Sequence, residues 1–74
     1  MGIVVFKYGY DVVVKFRDGR RVESRIFCNG LKLGQTITPM DFNLKDVEEN
    51  DRLTADQQFV ITLVDGTRWC LQEI

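Results

Sequence analysis

Apolar and aromatic residues alternate with polar ones from the start of the chain. Val4, Phe6, Tyr8, Tyr10, Val12, Val14 and Phe16 hold the even positions, while Lys7, Asp11, Lys15 and Arg17 fall on odd ones. A period of two predicts a β-strand with one buried face. Gly9 interrupts the run, and an isolated glycine in a strand signals a bulge or bend. The expectation is one bent strand whose first segment, residues 3–7, can pair with the last strand of the chain.

Asp18-Gly19 marks a turn, and the hydrophobic pattern selects its length. A two-residue loop sets Phe16 against Arg21 and Val14 against Glu23, mixing apolar and charged residues on one face. A three-residue loop, Arg17-Asp18-Gly19, pairs Phe16 with Arg20, Val14 with Val22, Val12 with Ser24 and Tyr10 with Ile26, and the faces then agree. The same register sets Asp11 opposite Arg25, an opposite-charge pair worth roughly 0.2–1 kcal/mol. Asn29-Gly30 is a strong signal for a type I′ hairpin, because both of its central residues need positive φ. That turn predicts a third strand over 31–38, with Cys28 against Leu31, Ile26 against Leu33 and Val22 against Ile37, completing a three-strand meander. A second Asp-Gly, Asp65-Gly66, lies 47 residues after the first. The same three-residue loop there pairs Leu63 with Thr67, Ile61 with Trp69 and Phe59 with Leu71, and places Trp69 in the core.

Between these hairpins, residues 38–58 lose the alternation and gain charge. Thr38-Pro39-Met40-Asp41 has the form of a capping box with proline at the first helical position. A short helix over 39–50 would set Met40, Leu44 and Val47 on one face. The alternative is an extended stretch in which Met40, Phe42 and Leu44 alternate, leaving 46–51 as an exposed loop. Thr54 can cap one further turn through Gln57.

So many short strands in 74 residues define a single mainly β domain, residues 1–74. A chain this short hides only about 60–65% of the surface that it exposes when unfolded. It must curl its sheet to cover one face, as a small antiparallel five- or six-stranded roll or an SH3-like partly open barrel. The comparison is one of layout, and no sequence motif accompanies it. In the predicted registers Val13, Phe27, Val60 and Cys70 point outward. Four apolar residues there imply cover from the middle segment, a twin subunit or another protein.

Composition narrows the chemistry. The chain has no histidine, which removes imidazole bases, Ser–His and Cys–His pairs and His-bearing zinc sites. No phosphate-cradling glycine loop is present, and Asp46 to Asp51 lacks the glycine and terminal glutamate of a calcium-binding EF-hand loop. The expectation is therefore no catalytic residue, no metal and no cofactor. Cys28 and Cys70 are too few for a disulfide framework and read as reduced, packed thiols, consistent with a cytoplasmic setting. The longest uncharged apolar run, Ile3 to Phe6, falls far short of the roughly 20 residues that span a bilayer.

The formal net charge of −1 conceals a division. Residues 10–26 carry Lys15, Arg17, Arg20, Arg21 and Arg25 against three carboxylates, whereas residues 41–56 carry six carboxylates against Lys45 and Arg52. Lys15, Arg21 and Arg25 share the outer face of the first hairpin, with Arg17 and Arg20 at its tip. These five cations, Phe27 as an exposed ring, and Asp46, Glu48, Glu49 and Asp51 in the acidic segment are the candidate partner-binding residues. The expectation is a non-enzymatic protein-binding module acting by occupancy, of the accessory or inhibitory kind found in phages and mobile elements, with a homodimer as one way to cover the second face. The alternative is a small barrel that binds nucleic acid through the basic hairpin, where every neutralised phosphate adds salt dependence.

Overall fold

A computed structural model describes residues 8–74. The first hairpin takes the register that its hydrophobic pattern requires. Strand β1 (Tyr8–Lys15) pairs antiparallel with β2 (Arg21–Cys28), setting Tyr10 against Ile26, Val12 against Ser24 and Val14 against Val22. The Phe16 N–H donates to the Arg20 carbonyl at 2.8 Å and the Gly19 N–H to the Phe16 carbonyl at 3.0 Å. Gly19 has φ 92°, so the three-residue loop closes through a left-handed glycine. Gly9 makes neither bulge nor bend against β2, since it pairs in register with Phe27. A Cβ at Gly9 would stand 3.1 Å from the Phe27 ring, so the glycine lets an aromatic side chain lie on the strand. The expected pairing of residues 3–7 lies outside the described residues.

The third strand departs from the expected meander. Type I′ geometry needs positive φ at both Asn29 and Gly30, but Gly30 alone has it, at 141°. The chain therefore does not fold back on β2. It turns instead at Lys32–Gln35, where the Gln35 N–H donates to the Lys32 carbonyl, with Gly34 at φ 83°. Strand β3 (Thr36–Ile37) then pairs with β5 (Phe59–Val64) on the far side of the sheet. The place beside β2 goes to β4 (Asn43–Leu44), with Leu44 opposite Ile26.

Strand β6 (Arg68–Glu73) follows β5 and completes the order β3-β5-β6-β1-β2-β4, a six-stranded sheet curled into a half-barrel. Four pairings are antiparallel, but β6 runs parallel to β1, setting Val12 against Trp69, Val13 against Cys70 and Val14 against Leu71. The strictly antiparallel sheet thus acquires one parallel pair at its centre. Three consecutive valines are what a central strand buried on both faces calls for, and Val12, Val13 and Val14 are all at most 1% exposed.

The middle segment combines the two alternatives read from its sequence. Pro39–Asp41 forms a single 3₁₀ turn, with the Asp41 carboxylate accepting the Thr38 N–H at 2.9 Å. No helix runs over 39–50. Met40 and Val47 are exposed, whereas Phe42 and Leu44, in extended backbone, are buried. The reason is Phe42: its ring packs edge to face on Phe59 at 5.8 Å, a contact that the predicted helical face would have turned away from the core. A five-residue helix, α1 (Val47–Asp51), follows, capped by Asp46, whose carboxylate accepts the Glu49 N–H. A short turn at 54–57 follows, in which the Gln57 side-chain oxygen accepts the Thr54 N–H and the Thr54 carbonyl accepts the Gln57 N–H, while the Thr54 hydroxyl donates to Asp56 instead of capping the turn. Phe16, Phe42 and Phe59 form the aromatic centre of the core, joined by Val12, Val14, Ile26, Ile37, Ile61 and Leu71.

Candidate functional site

The predicted binding residues lie on two elements, the first hairpin and the acidic segment, and the fold brings these together at the hairpin tip. Arg20 Nη1 meets Glu49 Oε2 at 3.3 Å while its guanidinium lies 4.3 Å over the Phe16 ring. Glu49 is held from its other side by Arg52 at 3.4 Å. Arg17 is engaged by Glu73, whose carboxylate accepts the Arg17 backbone N–H at 3.1 Å and faces Nε at 3.6 Å. Arg25 faces Asp11 at 3.5 Å, the cross-strand pair that the register predicts. Three of the five hairpin cations are therefore matched by carboxylates of their own chain, and Glu49 belongs to this internal match. Of the other acidic candidates, Asp46 caps α1, while Glu48 and Asp51 are exposed on it.

Lys15 and Arg21 differ. They stand directly opposite each other across β1 and β2, on the outer face, and neither joins an ion pair among the described residues. Like charges placed opposite each other on a sheet repel. Both act on Cys70: burial pushes its thiol pKa up, and the two cations pull it part of the way back. Beside them Arg68 of β6 donates to Glu23 of β2 at 2.7 Å, reaching across β1. That hydrogen bond holds the Glu23 carboxyl below its usual pKa and raises that of Arg68.

Compared with known protein families, curated proteins and solved structures, the chain matches none.

The outward apolar residues divide into two groups. Val13 and Cys70 are at most 1% exposed, so their cover comes from within the chain and requires no second copy. Phe27 remains 36% exposed over Gly9, as an exposed ring on β2 should. Sequence reasoning missed a further apolar surface at the opposite end of the half-barrel. Tyr8, predicted buried, is 50% exposed, and its ring lies 6.3 Å from that of Tyr10. Tyr10 meets Trp69 in a T-shaped contact at 6.3 Å. Trp69 is half-buried and pairs with Leu63 rather than Ile61. Leu33 and Leu63 stay exposed and line, with Val60 and Ile61, a shallow depression of about 490 Å³.

Chemically reactive groups are sparse. Cys28 and Cys70 are both free and buried, one in the core and one under the outer face. Among the described residues, no three Cys, Asp or Glu side chains converge as metal ligands. No helix among them is long and apolar enough to cross a membrane.

Proposed function

We propose that this protein is a non-enzymatic binding module that docks on a protein partner through the outer face of its first hairpin and acts by occupying the partner's surface, as accessory and inhibitory proteins do. The observation that carries this reading is the Lys15–Arg21 pair, two cations held opposite each other with no ion pair among the described residues, Arg21 keeping only a longer-range attraction to Glu23. A carboxylate supplied by a partner would relieve their repulsion, and Phe27, on the same face at the far end of β2, offers a separate apolar contact. Nucleic acid fits this face less well. A tracking polyanion needs a run of free cations, whereas Arg17, Arg20 and Arg25 are engaged and Asp11, Glu23 and Glu73 stand among them.

The test is affinity capture from the native cell with mass spectrometry, using the wild-type chain, a Lys15→Glu/Arg21→Glu variant and Arg17→Ala as the comparison. A stoichiometric protein retained by wild type and Arg17→Ala but lost by the double variant is the expected result. Oligonucleotide binding that falls steeply with salt and disappears in the double variant would replace this reading with the nucleic-acid one.

A further inference from the structure

The edge of the sheet at β5 is only half covered. Strand β3 lies opposite Phe59 and Val60, and its pairing ends where Gly34 and Gln35 both oppose Ile61. The Gly34 N–H donates to the Ile61 carbonyl at 2.8 Å, and the Ile61 N–H to the Gln35 carbonyl at 2.9 Å. With Gly34 left-handed, this is a G1 bulge that terminates the ladder. Backbone groups of a strand point alternately to its two sides, so the N–H and C=O of Leu63, two residues beyond Ile61, face the same open edge. Among the described residues nothing pairs with them. The Leu63 side chain, 39% exposed, and Leu33, 60% exposed, flank the depression beside this edge.

Two charges bracket the open segment. Lys32 begins the turn that leads into the bulge, and Asp65 begins the β5–β6 turn. Both are exposed and neither joins an ion pair among the described residues; the cation nearest Asp65 along the chain, Arg68, makes its close contact with Glu23 and feels Asp65 only as a weaker, longer-range attraction. A two-fold axis through Leu63 would lay Thr62-Leu63-Val64 of one copy antiparallel to the same residues of another. It would bring Asp65 of each copy toward Lys32 of the other and join the two leucine-lined depressions. The chain after Asp65 turns back to β6, which leaves room for the second copy's bulge. The edge, its apolar flank and its terminal charges are thus complementary to themselves.

We infer that this surface takes a second copy of the chain, forming a two-fold dimer by antiparallel pairing of the β5 edges about Leu63. The interface is separate from the outer face of the first hairpin, so the two readings stand or fall independently. Sedimentation or light scattering of the full chain over a concentration series tests it. The expected result is reversible doubling of mass. Leu63→Pro deletes an N–H that β6 does not use, and should leave a folded monomer by circular dichroism. Lys32→Glu, on an exposed turn remote from the core, keeps the fold and should weaken association by roughly tenfold through lost attraction at both ends of the interface. A wild-type chain that stays monomeric, or a dimer indifferent to Lys32→Glu, overturns the proposal, and this second variant decides the matter even if the proline prevents folding.

Discussion

The two Asp-Gly hairpins close loops of equal length in different ways. In the first, Phe16 and Arg20 bracket Arg17-Asp18-Gly19, so Asp-Gly occupies the last two loop positions and Gly19 alone is left-handed. In the second, Val64 pairs with Arg68 around Asp65-Gly66-Thr67, so Asp-Gly moves to the first two positions and both residues are left-handed, at φ 55° and 77°. The result is a register two residues away from the expected one: Ile61 meets Leu71, Leu63 meets Trp69 and Phe59 meets Glu73. A slip of two preserves the faces where a slip of one would invert them. The second register also delivers the Glu73 carboxylate beneath the tip of the first hairpin, where it accepts the Arg17 N–H. The dipeptide thus marks where the chain turns, while contacts between the hairpins decide how.

The largest way to break this arrangement is to remove what the hairpins share. Phe59 of the second hairpin is fully buried and meets Phe16 of the first edge to face at 6.1 Å and Phe42 at 5.8 Å. Phe59→Ala should cost about 3–5 kcal/mol, a large part of what a domain this small can hold. Urea unfolding followed by the fluorescence of the single tryptophan, Trp69, measures it. A loss below about 1 kcal/mol would mean that the hairpins are stable apart.

The turns themselves should answer one substitution with opposite signs. Asp18 accepts the Arg20 N–H at 2.8 Å and is not left-handed. Asp18→Gly loses that bond and loosens the unfolded chain, destabilising by about 1 kcal/mol. Asp65 holds a left-handed backbone that glycine adopts without strain. Asp65→Gly should be neutral or stabilising by up to about 1 kcal/mol. Equal effects at both sites, read from urea midpoints, would show that the two loops do not differ in the way their φ angles imply.

Local features were legible in the sequence to the extent that neighbouring residues decided them. The first hairpin could be read pair by pair, as could the Asp11–Arg25 contact and the Thr38 cap, because alternation and turn chemistry act within a few residues. The half-barrel followed from the number of short strands. The position of the third strand did not follow, because Asn29-Gly30 satisfied a local rule that the chain declines in favour of β5, which begins at Phe59. The parallel β1–β6 pair left one trace, the unbroken Val12-Val13-Val14 run. In the candidate site, the residue types were legible and their state was not. Arg20 and Arg17 looked free until partners 29 and 56 residues away, Glu49 and Glu73, closed on them, which left Lys15 and Arg21 as the hairpin cations that join no ion pair among the described residues.

The two cysteines, one from each hairpin, sharpen the comparison by the smallest effect. Cys70 lies under the outer face between Val13 and Thr62. Burial disfavours its thiolate, so its pKa is higher folded than unfolded, even with Lys15 and Arg21 nearby. The stabilisation is complete below the unfolded thiol pKa, near 8.5, and fades as pH rises through the higher folded value. Cys28, by contrast, lines a cavity of about 220 Å³, where its Sγ donates to the Gly30 carbonyl at 3.7 Å. A small alkylating reagent under native conditions should therefore label Cys28 before Cys70, with Cys70 reacting only as the sheet opens. Stability of the wild type should also fall on the alkaline side more steeply than that of Cys70→Ala. Peptide mapping of the labelled chain, with urea midpoints taken across pH, reads both effects. If Cys70 were labelled first, the centre of the sheet would be opening more readily than the loop after the first hairpin, contrary to the parallel pair holding the two hairpins together.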